Sequence, residues 1–195
     1  MSKLTRDDLY SLEKYAAIRQ EFRTKVIEHK ENRRLAIGPH ATLYFEDNLT
    51  MQYQVQEMLR LERIFEQEGI QQELDVYNSL IPDGSNWKAT LLVEYPDVEE
   101  RRTMLTRLKG LEDRVWVQAA GCERVYAIAD EDLERENAEK TSAVHFLRFE
   151  LAPPMISALV NAAALAIGVD HPIYTATVES VSPAVRTSLV QDLRG

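Results

Sequence analysis

At 195 residues the chain can bury one sizeable core, and its 45% hydrophobic and 28% charged residues are ordinary for a globular protein. A net charge of −9 argues against a general binder of nucleic acid or of anionic membrane, because phosphate contacts need a basic surface. The single cysteine, Cys122, excludes an intramolecular disulfide and a cysteine-ligated zinc or iron–sulfur site within the chain, which suits a reducing cytoplasm.

The start, MSKLTRDDLYSLEKY, has no apolar core of signal-peptide type. The most apolar run, residues 158–169, is too short to span a bilayer and contains Asn161. The expectation is a soluble cytoplasmic protein of one domain over residues 1–195. Within it, residues 1–33 form an N-terminal helix, 34–181 an α+β core and 182–195 a C-terminal helix.

Residues 5–33 read as a first long helix. Thr5 suits its N-cap, Asp8 the capping-box position, and Leu4 with Leu9 a hydrophobic staple. Leu12, Ala16, Phe22 and Val26 belong to its apolar side. His29, Lys30, Arg33 and Arg34 make its end basic, which the negative end of the helix dipole favours. That cluster is either a solvated helix end or a place for an anion. Residues 34–46 read as a β-hairpin around Gly38-Pro39-His40.

Residues 48–69 carry the longest uninterrupted helical pattern in the middle of the chain. At about 100° per residue, Met51, Val55, Met58, Leu59, Leu61 and Phe65 share one face while Tyr53 and Ile64 lie opposite. A helix apolar on two sides is packed on two sides. Asn48 or Thr50 caps its start and Gly69 ends it. Glu62 falls inside the apolar face, with Glu66 one turn on. Glu57 and Arg60 lie in the second strip, with Tyr53 and Ile64. A buried carboxylate acquires a cation, a metal or a proton. Glu57 and Glu62 are therefore either structural ion pairs with arginines or part of a polar pocket.

Residues 70–80 read as a short helix, 87–95 (WKATLLVEY) as a strand, and 97–109 as a helix opened by Pro96 and closed by Gly110. Residues 114–118 and 124–128 form a second hairpin around Ala120-Gly121. Residues 130–140 are strongly charged and read as an exposed helix or lid. Residues 141–151, TSAVHFLRFEL, alternate, and apolar residues on both faces mark a central strand. His145 lies among the apolar ones, as a satisfied core residue or as a ligand or acid–base group. Pro153 and Pro154 start a helix that Asn161 ends in left-handed geometry. Residues 162–169 read as a strand, with helix as the alternative, running into Asp170-His171-Pro172. That acid–histidine pair is either a turn or a site on a loop beyond a strand end. Ser182-Pro183 opens a last helix with Val185, Leu189 and Leu193 on one side, docking on the body or on a second subunit.

The sum is α+β: a mainly antiparallel sheet built from hairpins around a central helix, with long N-terminal and short C-terminal helices. The sequence holds no G-x-G-x-x-G, P-loop, H-E-x-x-H or G-x-S-x-G signature.

The runs LTRDDLYSLEKY, GPHATLYFEDNLTMQYQVQEMLRLERIFE, YNSLIPDG, KATLLVEYPDVEERR, VYAIADEDLERE, EKTSAVHFLRFEL and GVDHPIY closely resemble the bacterial domain-of-unknown-function family numbered 3501, over nearly the whole chain. The resemblance carries no catalytic residues with it. It implies a setting of redox or peroxide stress, because such proteins are often encoded beside rubrerythrin-like proteins and cysteine-rich iron–sulfur oxidoreductases.

Three functions follow as expectations. The first is an accessory or binding protein with a rubrerythrin-like or iron–sulfur partner. The second is a site for iron, zinc or manganese built from Glu62, Glu66, His145 and His171, with Asp170 beside them. The third is an enzyme using Glu57 as acid, Arg60 as anion anchor and His171 as base. Long helices at both termini make a homodimer a further expectation.

Overall fold

Two antiparallel sheets face each other across the main core in the computed structural model, which describes residues 3–131 and 140–193. The first sheet starts from the expected hairpin, β1 (Arg34–Ile37) and β2 (Ala41–Phe45). Its turn needs Gly38 twice over: φ is 69°, and a Cβ there would lie 2.7 Å from the Tyr174 hydroxyl. The long strand β3 (Asn86–Val93) pairs with β2. The second sheet is built on β4 (Val115–Ala119), which pairs with the two-residue β5 (Val125–Tyr126). The chain then crosses back through β6 (Ile128–Ala129) and β7 (Val144–Glu150), completing the order β1-β2-β3-β7-β6. Finally β8 (Leu165–His171) and β9 (Tyr174–Val178) complete the order β5-β4-β8-β9.

Alternation along these strands sends Phe45, Trp87, Leu91, Leu147 and Phe149 of one sheet against Val115, Val117, Ile167 and Val169 of the other. Gly168 lets Trp116 lie flat on β8, since a Cβ would meet that ring at 2.5 Å. The helices α4 (Val98–Arg107), α5 (Pro153–Val160) and α6 (Pro183–Gln191) contribute Leu105, Leu159 and Leu189 to the same core. The Trp87 indole N–H donates to the Leu189 carbonyl at 2.9 Å, so the last helix docks on the body of this chain.

The first half of the chain supplies α1 (Leu12–Glu31), α2 (Asn48–Leu61) and α3 (Gln67–Asn78), with separate apolar clusters around Tyr15–Phe22 and around Met51–Val55–Leu59. Five expectations are corrected here. The first helix is interrupted: Thr5 and Asp8 cap a 3₁₀ turn at Arg6–Asp8, and Ser11 then caps α1. The pattern over 48–69 is two helices. Arg63 adopts φ 57° and the Ile64 N–H bonds to the Leu59 carbonyl, a left-handed stop that turns the chain. Leu61 and Phe65, placed inward by an unbroken helix, are 62% and 69% exposed. The N-cap of α2 is Asp47, whose carboxylate accepts the Thr50 N–H at 3.0 Å. Farther on, Ala162 rather than Asn161 takes the left-handed position. Asp170 and His171 belong to β8 and not to a loop beyond it. Most of the segment expected as an exposed helix or lid, residues 132–139, lies outside the described residues.

Two residues of the basic end of α1, His29 and Arg33, are engaged internally. His29 Nε2 lies 2.5 Å from Asp47 Oδ2. Arg33, 2% exposed, donates to the Phe45 and Glu46 carbonyls, to Ser188 and to both oxygens of Asp192. Burial pushes the Asp192 carboxyl up to about 6, more strongly than Arg33 pulls it down. Breaking one side of such a pair leaves a buried charge or buried carbonyls unpaired. Arg33→Met is therefore expected to cost about 3–5 kcal/mol in urea unfolding, and adding Asp192→Leu to recover only the part due to the unpaired carboxylate, because the Phe45 and Glu46 carbonyls still lack that donor. A single variant within about 1 kcal/mol of wild type would contradict this assignment.

Candidate functional site

The period of two along β7 turns His145 inward with Leu147 and Phe149, and its ring is completely buried. A polar ring in that position needs partners on every side. Asp130, just past β6, supplies the first: its Oδ2 lies 2.5 Å from His145 Nδ1. Asp130 is locked by Phe146, whose N–H donates to Oδ1 at 2.8 Å and whose carbonyl accepts the Asp130 N–H at 2.8 Å. It sits at φ 47°, a conformation that aspartate tolerates better than most residues.

On the other side of the ring, His145 Nε2 lies 3.0 Å from both the Thr141 hydroxyl and the Ser142 carbonyl. The Thr141 hydroxyl also sits 3.2 Å from both carboxylate oxygens of Glu112, and Glu112 Oε2 is 3.7 Å from Nε2. Glu112 stands on a 3₁₀ turn, Glu112–Arg114, that leads into β4. One ligand atom from each of Glu112, Asp130 and His145 lies within 4.8 Å of the others.

The ring thus has an acceptor on each side, the Asp130 carboxylate at Nδ1 and the Ser142 carbonyl at Nε2. The donor set of one imidazole and two carboxylates suits iron, zinc or manganese. Aspartate, histidine and threonine in series also resemble a nucleophilic array, but Thr141 is 1% exposed and its hydroxyl is engaged with Glu112.

The other expected site residues go elsewhere. Glu62 and Glu66 are exposed, as the C-cap of α2 and the N-cap of α3. The expected ligand set of Glu62, Glu66, His145 and His171 does not converge: the group that closes up among the described residues contains His145 alone of the four. The physical reason is the stop at Arg63, which leaves Glu62 at an exposed helix end and carries Glu66 onto a separate helix. His171 staples the β8–β9 hairpin, with Nε2 3.0 Å from the Lys109 carbonyl and Nδ1 accepting the Ile173 N–H at 3.3 Å. Asp170 accepts the Tyr126 hydroxyl at 2.6 Å and faces Arg124. Glu57 clamps α1 to α2: it accepts both Arg19 nitrogens at 2.8 Å and the Tyr15 hydroxyl at 2.7 Å, with Arg60 at 3.4 Å. Sequence reasoning missed Glu112 and Asp130. The only signal available was the inward histidine, which demands partners without naming them.

A family model described as "Protein of unknown function (DUF3501)" matches residues 3–193. The chain is also similar to a solved structure described as a novel protein of unknown function from Burkholderia pseudomallei K96243. The two are 53% identical, the match covers 98% of this chain and 100% of that one, and the TM-score is 0.93. Among curated proteins none matches. No helix among the described residues is long and apolar enough to cross a membrane.

The Glu57 clamp makes a pH-dependent prediction. Arg19 above all, with Tyr15 and Arg60, holds its carboxyl at about 2, below the ordinary 4.5. A depressed carboxylate stabilises the fold above its unfolded pKa, and that stabilisation is lost as pH falls through the folded one. Urea midpoints should therefore drop between pH 4.5 and 2 in wild type, and drop less in Glu57→Gln. Parallel curves for the two proteins would remove Glu57 as the source.

Proposed function

We propose that this chain, which belongs to the family described as "Protein of unknown function (DUF3501)", is a metal-binding accessory protein whose ion sits among Glu112, Asp130 and His145. The observation that carries the reading is the approach of one nitrogen and two oxygen donors to within 4.8 Å around a buried imidazole. Two carboxylates held out of water need positive charge beside them. A divalent ion among them supplies it. Metal–ligand bonds are about 2.0–2.2 Å, and Asp130 approaches Nδ1 while Glu112 approaches Nε2, so binding replaces the Asp130–ring contact and brings both carboxylates to one ring nitrogen.

The surroundings support the same reading. Phe146 fixes the orientation of Asp130 through Oδ1, leaving Oδ2 as the ligand, in the way that outer hydrogen bonds set metal ligands. Thr141 does the same for Glu112. With one histidine and two carboxylates, iron, manganese and zinc are the ions the donor set favours, over those that prefer thiolates. The resemblance to a family encoded beside redox genes extends the proposal to a peroxide- or redox-stress system, with a rubrerythrin-like or iron–sulfur protein as partner. Pull-down at low salt is expected to recover such a partner.

Elemental analysis of tag-free protein tests the metal. About one iron, manganese or zinc per chain is expected, falling at least about tenfold in Asp130→Asn and His145→Gln with the far-ultraviolet circular dichroism retained. Glu62→Gln is expected to keep its metal. A chain that takes up no metal on reconstitution, or that keeps it in both site variants, overturns the proposal.

A further inference from the structure

The outer face of the five-stranded sheet, turned away from His145, carries a second feature. A cavity of about 410 Å³ lies between that face and the helices. Tyr44, Leu92 and Phe146 form its sheet wall, and Met51 and Tyr77 close it from α2 and α3. Its volume falls in the range of small-molecule sites, about 300–1,000 Å³.

Glu46 is the exceptional member of this lining. It is 6% exposed, and period two along the chain from Tyr44 directs it to the same outer face. Its main chain is fully engaged: the N–H donates to the Lys88 carbonyl and its own carbonyl accepts from Arg33. Its Oε1 accepts the Thr90 hydroxyl at 2.7 Å. Its Oε2 is buried and has no partner. Lys30 borders the same cavity without an ion pair to Glu46, and Arg33 directs its nitrogens to the Phe45 and Glu46 carbonyls, Ser188 and Asp192.

A buried carboxylate oxygen without a donor is costly, and a ligand that brings the donor recovers that cost on binding. Aromatic rings beside a carboxylate recognise an ammonium group, through the ring faces and the charge together. We propose that this cavity binds a small amphiphilic primary amine, its ammonium on Glu46 and its apolar body against Tyr44, Tyr77, Leu92 and Phe146. The site is independent of the metal proposal, because neighbouring residues of β7 face opposite sides: Phe146 lines the cavity and His145 faces the core.

Calorimetry on the full chain with three near-isosteres tests it: phenethylamine, phenethyl alcohol and phenylacetate. The amine is expected to bind at least about tenfold more tightly than either of the others. Glu46→Gln is expected to abolish that preference while keeping the Thr90 contact. Leu92→Trp, which fills the cavity from its sheet wall, is expected to block the amine. No binding of phenethylamine at millimolar concentration, equal binding of all three, or a preference that survives Glu46→Gln would each overturn the proposal.

Discussion

One polar ring in an apolar layer sets the terms for the centre of this fold. The alternation of β7 places Leu147 and Phe149 in the core between the sheets, and the same alternation carries His145 there with them. A shift of one residue would rescue the histidine and expose the core, so the register cannot move. The chain instead brings partners to the ring. Asp130 comes from the end of β6, Thr141 and Ser142 from the approach to β7, and Glu112 from the turn before β4. Asp130, Thr141 and Ser142 flank the β6–β7 connection of the first sheet and Glu112 stands where the chain enters the second, so satisfying the ring also ties the two sheets together.

The helical half frames this centre from outside. Arg33 ties the end of α1 to the end of β2 and to α6, holding segments that are 159 residues apart in sequence. Its bidentate pair with Asp192 is buried on both sides. Glu57 plays the lesser part, fixing α1 on α2 near the surface. The five-stranded sheet thereby gains two differently used faces. The inner one is packed and holds the carboxylate–histidine cluster; the outer one is partly covered by α2 and α3 and keeps a cavity with Glu46 in its lining.

What the sequence revealed followed the range of the forces involved. Hairpins and strands were legible because Gly38-Pro39 and period-two alternation are local signals, and β1, β2, β3, β4 and β7 stand where those signals put them. The α+β class followed from them. The family was legible from runs spread along the whole chain, and the match over residues 3–193 agrees. The helix over 48–69 misled because hydrophobic spacing is blind to a stop made by backbone angle; Arg63 is an ordinary helix former that here takes φ 57°. Glu62 owed its candidacy to that unbroken wheel. The β9 strand escaped because, after Tyr174, it is a short edge strand with little buried surface. The cluster itself was half legible. His145 was visible as a misfit, but Glu112 and Asp130 reach it only through pairing of distant segments, and no spacing rule encodes that.

The most direct test of the central claim is the anomalous scattering of crystals grown with manganese, recorded to locate the ion. The account predicts one strong peak bonded to His145, Asp130 and Glu112, with the Asp130 contact to the His145 ring replaced by metal bonds. An intact Asp130–His145 hydrogen bond with no peak beside it, at manganese concentrations that saturate the protein in solution, would contradict it.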